Sequence, residues 1–238
     1  MEVKRFFADT SPDCGVFTLD GDELYHMRKV LRYKVGYKAI ICNGDGNEYD
    51  CTVTEITDDC AVLKVDNVHE CAGEPDFNLR LCQAIPKSAK YEYIIQKSVE
   101  LGVSEIIFFD SDYSSSEEYR QERADKIALE ACKQCGRARR VRVSRLSSLD
   151  EVLDRAQGMS VIMPYEKADG ASIACAAGVK GDIALIIGSE GGFSDREARL
   201  AIDRGAMLVT LGKRILRCET AAAVATALVM YERGGLGK

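Results

Sequence analysis

From Asn78 onward the chain alternates short apolar runs with helix-length segments, and that rhythm restricts the fold more than any other feature. The runs Leu79–Ile85, Glu105–Phe109, Val141–Val143, Ser160–Met163, Ile183–Ile187 and Met207–Leu211 read as strands. Helical patterns follow each of them: about Ala89 to Leu101, Glu117 to Cys135, Leu149 to Gln157, a short one at Ala171 to Ala177, Asp195 to Arg204, and Thr220 to Glu232. Strands and helices in strict alternation predict an α/β fold with a mostly parallel sheet covered on both faces.

The N-terminal part has another rhythm. Val3–Phe7, Ala39–Cys42, Glu48–Ile56 and Ala61–Val68 alternate or are β-branched, and Asn43-Gly44-Asp45-Gly46-Asn47 is a turn between two of them. One helix, about Glu23 to Tyr33, is expected from Leu24, Met27, Val30 and Leu31 at helical spacing. Short strands joined by turns suggest a small barrel. Glu70 to Pro75 reads as a linker, so two domains are expected, 1–72 and 76–238.

Composition narrows the chemistry. No stretch is long and apolar enough to span a membrane, and the N-terminus lacks the apolar core of an export signal, so a cytoplasmic location is expected. The ten cysteines are then expected to be thiols. Only Cys132 and Cys135 have metal-like spacing. With no second pair nearby and His26 and His69 distant in sequence, no metal is expected. The net charge of −6 does not suggest a nucleic-acid binder. Two local clusters do: Arg28, Lys29, Arg32, Lys34, Lys38, and Arg137, Arg139, Arg140, Arg142, Arg145.

In open α/β sheets ligands bind beyond the carboxyl ends of the strands. Two loops there stand out. Gly188-Ser189-Glu190-Gly191-Gly192-Phe193-Ser194 follows an apolar strand and carries three glycines, more than a helix-start turn needs. Ser194 and Glu197 fit a capping box for the next helix. No Lys-Ser/Thr follows, so this is not a nucleotide-phosphate loop. Ile85-Pro86-Lys87-Ser88 after the first strand argues against the common Rossmann methyltransferase arrangement. The second loop, Leu211 to Ala221, holds Lys213, Arg214, Arg217 and Glu219 before an alanine-rich helix.

Together these loops resemble the 16S ribosomal RNA (uracil-N3) methyltransferase family of the SPOUT superfamily. The matching residues are Ile187 to Ser194 with Glu197, Leu211-Gly212, Ile215-Leu216-Arg217 and Glu219-Thr220-Ala221. Upstream they include Ala84 to Lys87, Gln96 to Val103, Ala128 to Ala131 and Gln134 to Arg137, and in the N-terminal part Arg5-Phe6-Phe7, His26, Val30-Leu31-Arg32 and Asn43-Gly44 with Gly46. The resemblance covers nearly the whole chain. It implies a PUA-like N-terminal β-barrel for RNA, a C-terminal trefoil-knot domain binding S-adenosylmethionine, and a homodimer acting on 16S rRNA of the small ribosomal subunit.

The residues carried over for the cofactor are Pro164, Tyr165, Glu166, Ile187, Gly188, Ser189, Glu190, Gly191, Gly192, Leu211, Gly212, Ile215, Leu216, Arg217, Thr220 and Ala221. Arg217, Glu219 and Glu190 are the candidates for the chemistry. Arg5, His26, Arg28, Arg32, Arg137, Arg139 and Arg140 are the candidates for RNA. The sequence departs from the family at Ser189, at Asp112-Tyr113-Ser114-Ser115-Ser116, where an arginine is often found, and at Arg139-Arg140-Val141, where a proline is usual. A related methyltransferase for another RNA and a noncatalytic RNA-binding or assembly factor are the rival readings.

Overall fold

The computed structural model describes residues 3–114, 119–168 and 171–237, and the chain divides into two compact units. One unit comprises Met1–Glu74 together with Cys132–Arg140, and the other comprises Pro75–Ala131 and Val141–Lys238.

The first unit is a curled half-barrel sheet of five strands, β1 (Lys4–Phe7), β2 (Val16–Leu19), β3 (Lys38–Cys42), β4 (Asn47–Ile56) and β5 (Ala61–Glu70). Their order is β1-β3-β4-β5-β2, with β1 and β3 parallel and the other pairs antiparallel. Alternation puts Phe6, Phe17, Leu19, Ile41, Cys51, Val53 and Leu63 on one face, where they form a single core with Leu24 and Met27. The strand β2 escapes sequence reading because four residues carry too little alternation to register. The helix expected from Glu23 to Tyr33 is instead a short α1 (Gly21–Tyr25) followed by a π turn, His26–Val30. It stops at Arg32, which sits at φ 55°, outside helical space.

The second unit has the expected alternation: β6 (Leu79–Ala84), α2 (Lys90–Glu100), β7 (Glu105–Phe109), α3 (Gln121–Cys135), β8 (Arg142–Leu146), α4 (Leu149–Arg155), β9 (Ser160–Pro164), a 3₁₀ turn (Ile173–Gly178), β10 (Ile183–Ile187), α5 (Asp195–Asp203), β11 (Met207–Val209) and α6 (Cys218–Glu232). The last turn of α3 is counted with the first unit. The helix expected from Glu117 begins at Gln121, and Glu117 itself lies outside the described residues. All six strands are parallel, in the order β11-β9-β10-β6-β7-β8. The central strands β10, β6 and β7 are almost wholly buried, as a sheet covered on both faces requires. One face packs Leu149, Val152, Leu153, Ala198 and Ala201 of α4 and α5 against Cys82, Ala84, Ala184 and Ile186. The helix α6 packs on β10, β6 and α2. The chain moves outward from β6 to β8, then returns to place β9, β10 and β11 on the other side, so the order reverses between β10 and β6.

Candidate active site

A cavity of about 540 Å³ lies at the carboxyl ends of β9, β10 and β11. Its volume falls within the usual range for small-molecule sites, roughly 300–1,000 Å³. Pro164, Tyr165 and Glu166 line it after β9. Ile187 to Phe193 line it after β10. Thr210 to Leu216, with Cys218 and Ala221, line it after β11. Three loops distant in sequence thus share one wall because their strands are neighbours.

Two glycines of the β10 loop have a steric reason to be glycine. A Cβ on Gly191 would stand 2.7 Å from Cβ of Tyr113, and one on Gly188 would stand 3.1 Å from the Gly192 carbonyl carbon. Gly192 adds a left-handed φ of 69°. The segment before α3 braces this loop. Ser189 Oγ donates to the Tyr113 carbonyl at 3.0 Å, and Asp112 accepts from Ser194 Oγ and Arg196, both at 2.5 Å. Asp112 and Tyr113, at the departure from the family pattern, therefore support the loop; Ser115 and Ser116 lie outside the described residues. The capping box is formed: Ser194 accepts from the Glu197 N–H, and Glu197 accepts from the Ser194 N–H at 2.9 Å.

Two carboxylates converge on one lysine. Lys90 Nζ lies 2.6 Å from Glu190 and 3.7 Å from Glu219. Glu190 also accepts from the Lys87 backbone N–H. Burial disfavours its ionisation, but Lys90 and the Lys87 amide outweigh burial and hold the carboxyl below its usual range. Glu219 is likewise opposed by burial, and its own backbone N–H, the Cys218 thiol, Lys90 and Arg217 together lower it. Burial first, then the hydrogen bond to Glu219, pushes the Cys218 thiol up to about 12. Both carboxylates are anionic at neutral pH, and the thiol is protonated.

Of the residues expected at the cofactor, Arg217 and Thr220 do not line the cavity; the others do. Arg217 is the residue before α6, exposed, with its carbonyl accepting from Ala221 N–H. Phe193, Thr210, Lys213, Arg214 and Cys218 line the cavity without having been singled out for it. Phe193, Lys213, Arg214 and Cys218 lie inside the two loops already marked out by their glycines and charges, and Thr210 immediately precedes the second. Lys90 carried no local signal, because its partners lie about a hundred residues away.

In the N-terminal unit the basic candidates separate by exposure. Arg137 is 4% exposed and ion-paired to Glu74 at 2.7 Å, so it is a core residue and not a surface contact. Arg5 is mostly covered and paired to Glu48 at 2.8 Å. Arg28 is held by Asp58 at 2.5 Å, and Arg140 by Asp9 at 2.8 Å. His26 packs beside the Phe6 ring. Arg32 and Arg139 are exposed, as are Lys29, Lys34 and Tyr25. Arg139 passes beside Gly46, where a Cβ would stand 3.1 Å from its Nε.

The chain is an RNA methyltransferase carrying an accessory β-rich module, on the strength of its matches to known families. A family model for an RNA methyltransferase domain matches residues 73–230, and one for an RNA methyltransferase PUA domain matches 19–66. The chain belongs to the ribosomal RNA small subunit methyltransferase E family. It is 30% identical to the protein of that name from Bacillus subtilis, over 97% of each chain, and 30% identical to that from Mycobacterium bovis, over 96% of this chain and 92% of the other. A solved structure of ribosomal RNA small subunit methyltransferase E from Neisseria gonorrhoeae, bound to S-adenosyl methionine, superposes with a TM-score of 0.84 at 28% identity, covering 97% of this chain and 98% of that one. Among the described residues no helix is long and apolar enough to cross a membrane.

Proposed function

We propose that the protein transfers a methyl group from S-adenosylmethionine to N3 of a uridine in 16S rRNA of the small ribosomal subunit, in the cytoplasm. The observation that carries this reading is the joining of the Gly188–Gly192 and Leu211–Leu216 loops around one cavity. Its walls suit the cofactor: Ile187, Phe193, Ile215 and Leu216 offer apolar surface, and the glycines bring backbone amides and carbonyls close. S-adenosylmethionine supplies an already activated methyl group. A knotted SPOUT-type C-terminal unit belongs to the same reading and is carried by the family resemblance.

The protein's part is position and charge. Uracil must present its Watson–Crick edge, so the target nucleotide is unpaired or flipped. The N3 proton passes to water, charge spreads onto the two carbonyl oxygens, and Arg217, between the cavity-lining Leu216 and Cys218, is the cation assigned to stabilise it. Arg217 is exposed at the mouth of α6 and makes no ion pair among the described residues, so its guanidinium is available. Glu190 and Glu219, held as anions, are weak proton acceptors; Glu190 braces its loop, and Glu219 faces Lys90 with its charge felt by Arg217. Arg32 and Arg139, with Lys29, Lys34 and Tyr25, form the RNA-facing set of the N-terminal unit. The pairing of two copies through the exposed apolar stripe Val224, Leu228, Tyr231 of α6 completes the reading.

The test is incubation of the purified protein with labelled S-adenosylmethionine and unmethylated small subunits, followed by digestion to nucleosides. N3-methyluridine is the expected product; another methylated nucleoside, or none, rejects the reading. Arg217→Ala should slow single-turnover methyl transfer by about 100-fold or more and leave cofactor affinity within about threefold. Equal losses of both would remove Arg217 from the chemistry.

A further inference from the structure

We propose that Gln83 is a positioning residue for the glycine loop: its buried amide fixes the Gly188 carbonyl and so sets where the loop's backbone stands. The inference rests on the reading of Gly188–Gly192 as the cofactor loop.

Gln83 is the penultimate residue of β6 and is fully buried. Its neighbours Cys82 and Ala84 face the α4–α5 cluster, so the two-residue period turns Gln83 to the opposite face. An amide inside an apolar sheet loses its hydration and must recover it through hydrogen bonds. Nε2 lies 2.8 Å from the Ala84 carbonyl, 3.0 Å from that of Gly188 and 3.5 Å from that of Ile187. The two hydrogens of the amide go to the shorter contacts. An oxygen in that place would face three carbonyl oxygens, so the orientation of the amide is dictated. The side chain therefore ties the end of β6 to the end of β10.

The other end of the same amide is not satisfied. Oε1 is buried and has no hydrogen-bond partner among the described residues. A glutamine kept only to fill the core is poorly suited to its place, because a buried orphan acceptor destabilises and an aliphatic side chain would not carry one. The donor end is what the position uses.

Gly188 passes the constraint on. Its backbone abuts Gly192, and the loop closes through the Gly192 N–H to the Ser189 carbonyl at 3.0 Å. Ser189 and Glu190 are tied by Tyr113 and Lys87. Gln83 is the tie at the root, made before the loop leaves the sheet.

Gln83→Leu removes the donor and the orphan acceptor together, and Gln83→Met does so at nearly constant length. Ser98→Ala, which deletes a buried hydroxyl that likewise has no hydrogen-bond partner among the described residues, is the control. Without cofactor, hydrogen exchange of segment 184–194 should accelerate about tenfold in the Gln83 variants while that of α6 is unchanged. Titration with S-adenosylmethionine should show affinity about tenfold weaker. KM for the cofactor should rise while kcat at saturation stays within about twofold, and the melting temperature should hold or rise. Ser98→Ala should leave exchange and affinity as they are. Unchanged loop exchange in both Gln83 variants, or acceleration spread across the whole sheet in both, overturns the inference. If the wild type itself binds no S-adenosylmethionine, the cofactor reading falls, and the exchange measurement still judges the clamp.

Discussion

Gly191 and Arg137 show how much a single position can be constrained by something far away in the chain. Gly191 has an ordinary conformation, and its constraint is Tyr113, whose Cβ occupies the space a side chain would need. Gly191→Ala must therefore move the loop or the 111–114 segment. Cofactor affinity by calorimetry is expected to fall about tenfold, an overpacking effect of the usual size. Arg137 belongs to a basic cluster that reads as an RNA surface, yet Glu74, 63 residues earlier, takes its charge into the core. Burial raises the Glu74 carboxyl, but the hydrogen bond and charge of Arg137 and the Arg139 N–H outweigh it, so the folded value lies below the ordinary 4.5. A group lowered by folding stabilises fully above its unfolded value, and that stability is lost as pH falls through the folded value. Glu74→Gln takes away the carboxylate that offsets the buried guanidinium. Denaturant titration at pH 7 should show a loss of about 3 kcal/mol. The gap from wild type should close as the pH drops below about 4.5. A gap that stays constant down to pH 3 would contradict the assignment.

At the scale of elements, the start of α5 is the part most openly written in the sequence. Ser194 and Glu197 bond each other's backbone reciprocally. Ser194→Ala should cost about 1 kcal/mol and lower the melting temperature by about 2–4 °C. The strands β7 and β10 were equally legible, because Ile106–Phe109 and Ile183–Ile187 are unbroken apolar runs between helix-length segments, whereas β6, Leu-Arg-Leu-Cys-Gln-Ala, was readable by its place in the alternation of strands and helices and not by apolarity. The π turn at His26–Val30 was not. Apolar residues at Leu24, Met27, Val30 and Leu31 fit an unbroken helix, and Val30 is in fact exposed. The loops of the cavity were readable by their glycines and charges, whereas their braces were not. Gln83, Lys90, Asp112 and Tyr113 reach the β10 loop from 76 to 105 positions away, and spacing carries no information at that range. On α6, Val224, Leu228 and Tyr231 recur at helical spacing and stay exposed, so that helix has a second apolar side.

For the whole molecule, that second side bears on assembly. On the proposed pairing, wild-type protein should sediment as a dimer and Leu228→Asp as a monomer in sedimentation velocity at micromolar concentration, with the far-ultraviolet circular dichroism unchanged. A wild-type protein that sediments as a monomer would remove the pairing from the proposal. Charge tells a similar story about scale. The net value of −6 says little about RNA, because many of the arginines are spent on Glu48, Asp58, Glu74 and Asp9. Others, Arg32 and Arg139 among them, keep their charge exposed.

The N-terminal unit is not finished by its own first 74 residues, since Cys132–Arg140 belongs to it. During translation the missing piece is polymerised only after β6, α2, β7 and most of α3. At roughly 5–20 residues per second, the nascent half-barrel waits about 3 to 13 s for the segment that brings Arg137 to Glu74. Until then Glu74 is a solvated acid with nothing opposite it, and the unit that is first to leave the ribosome is not the first able to close.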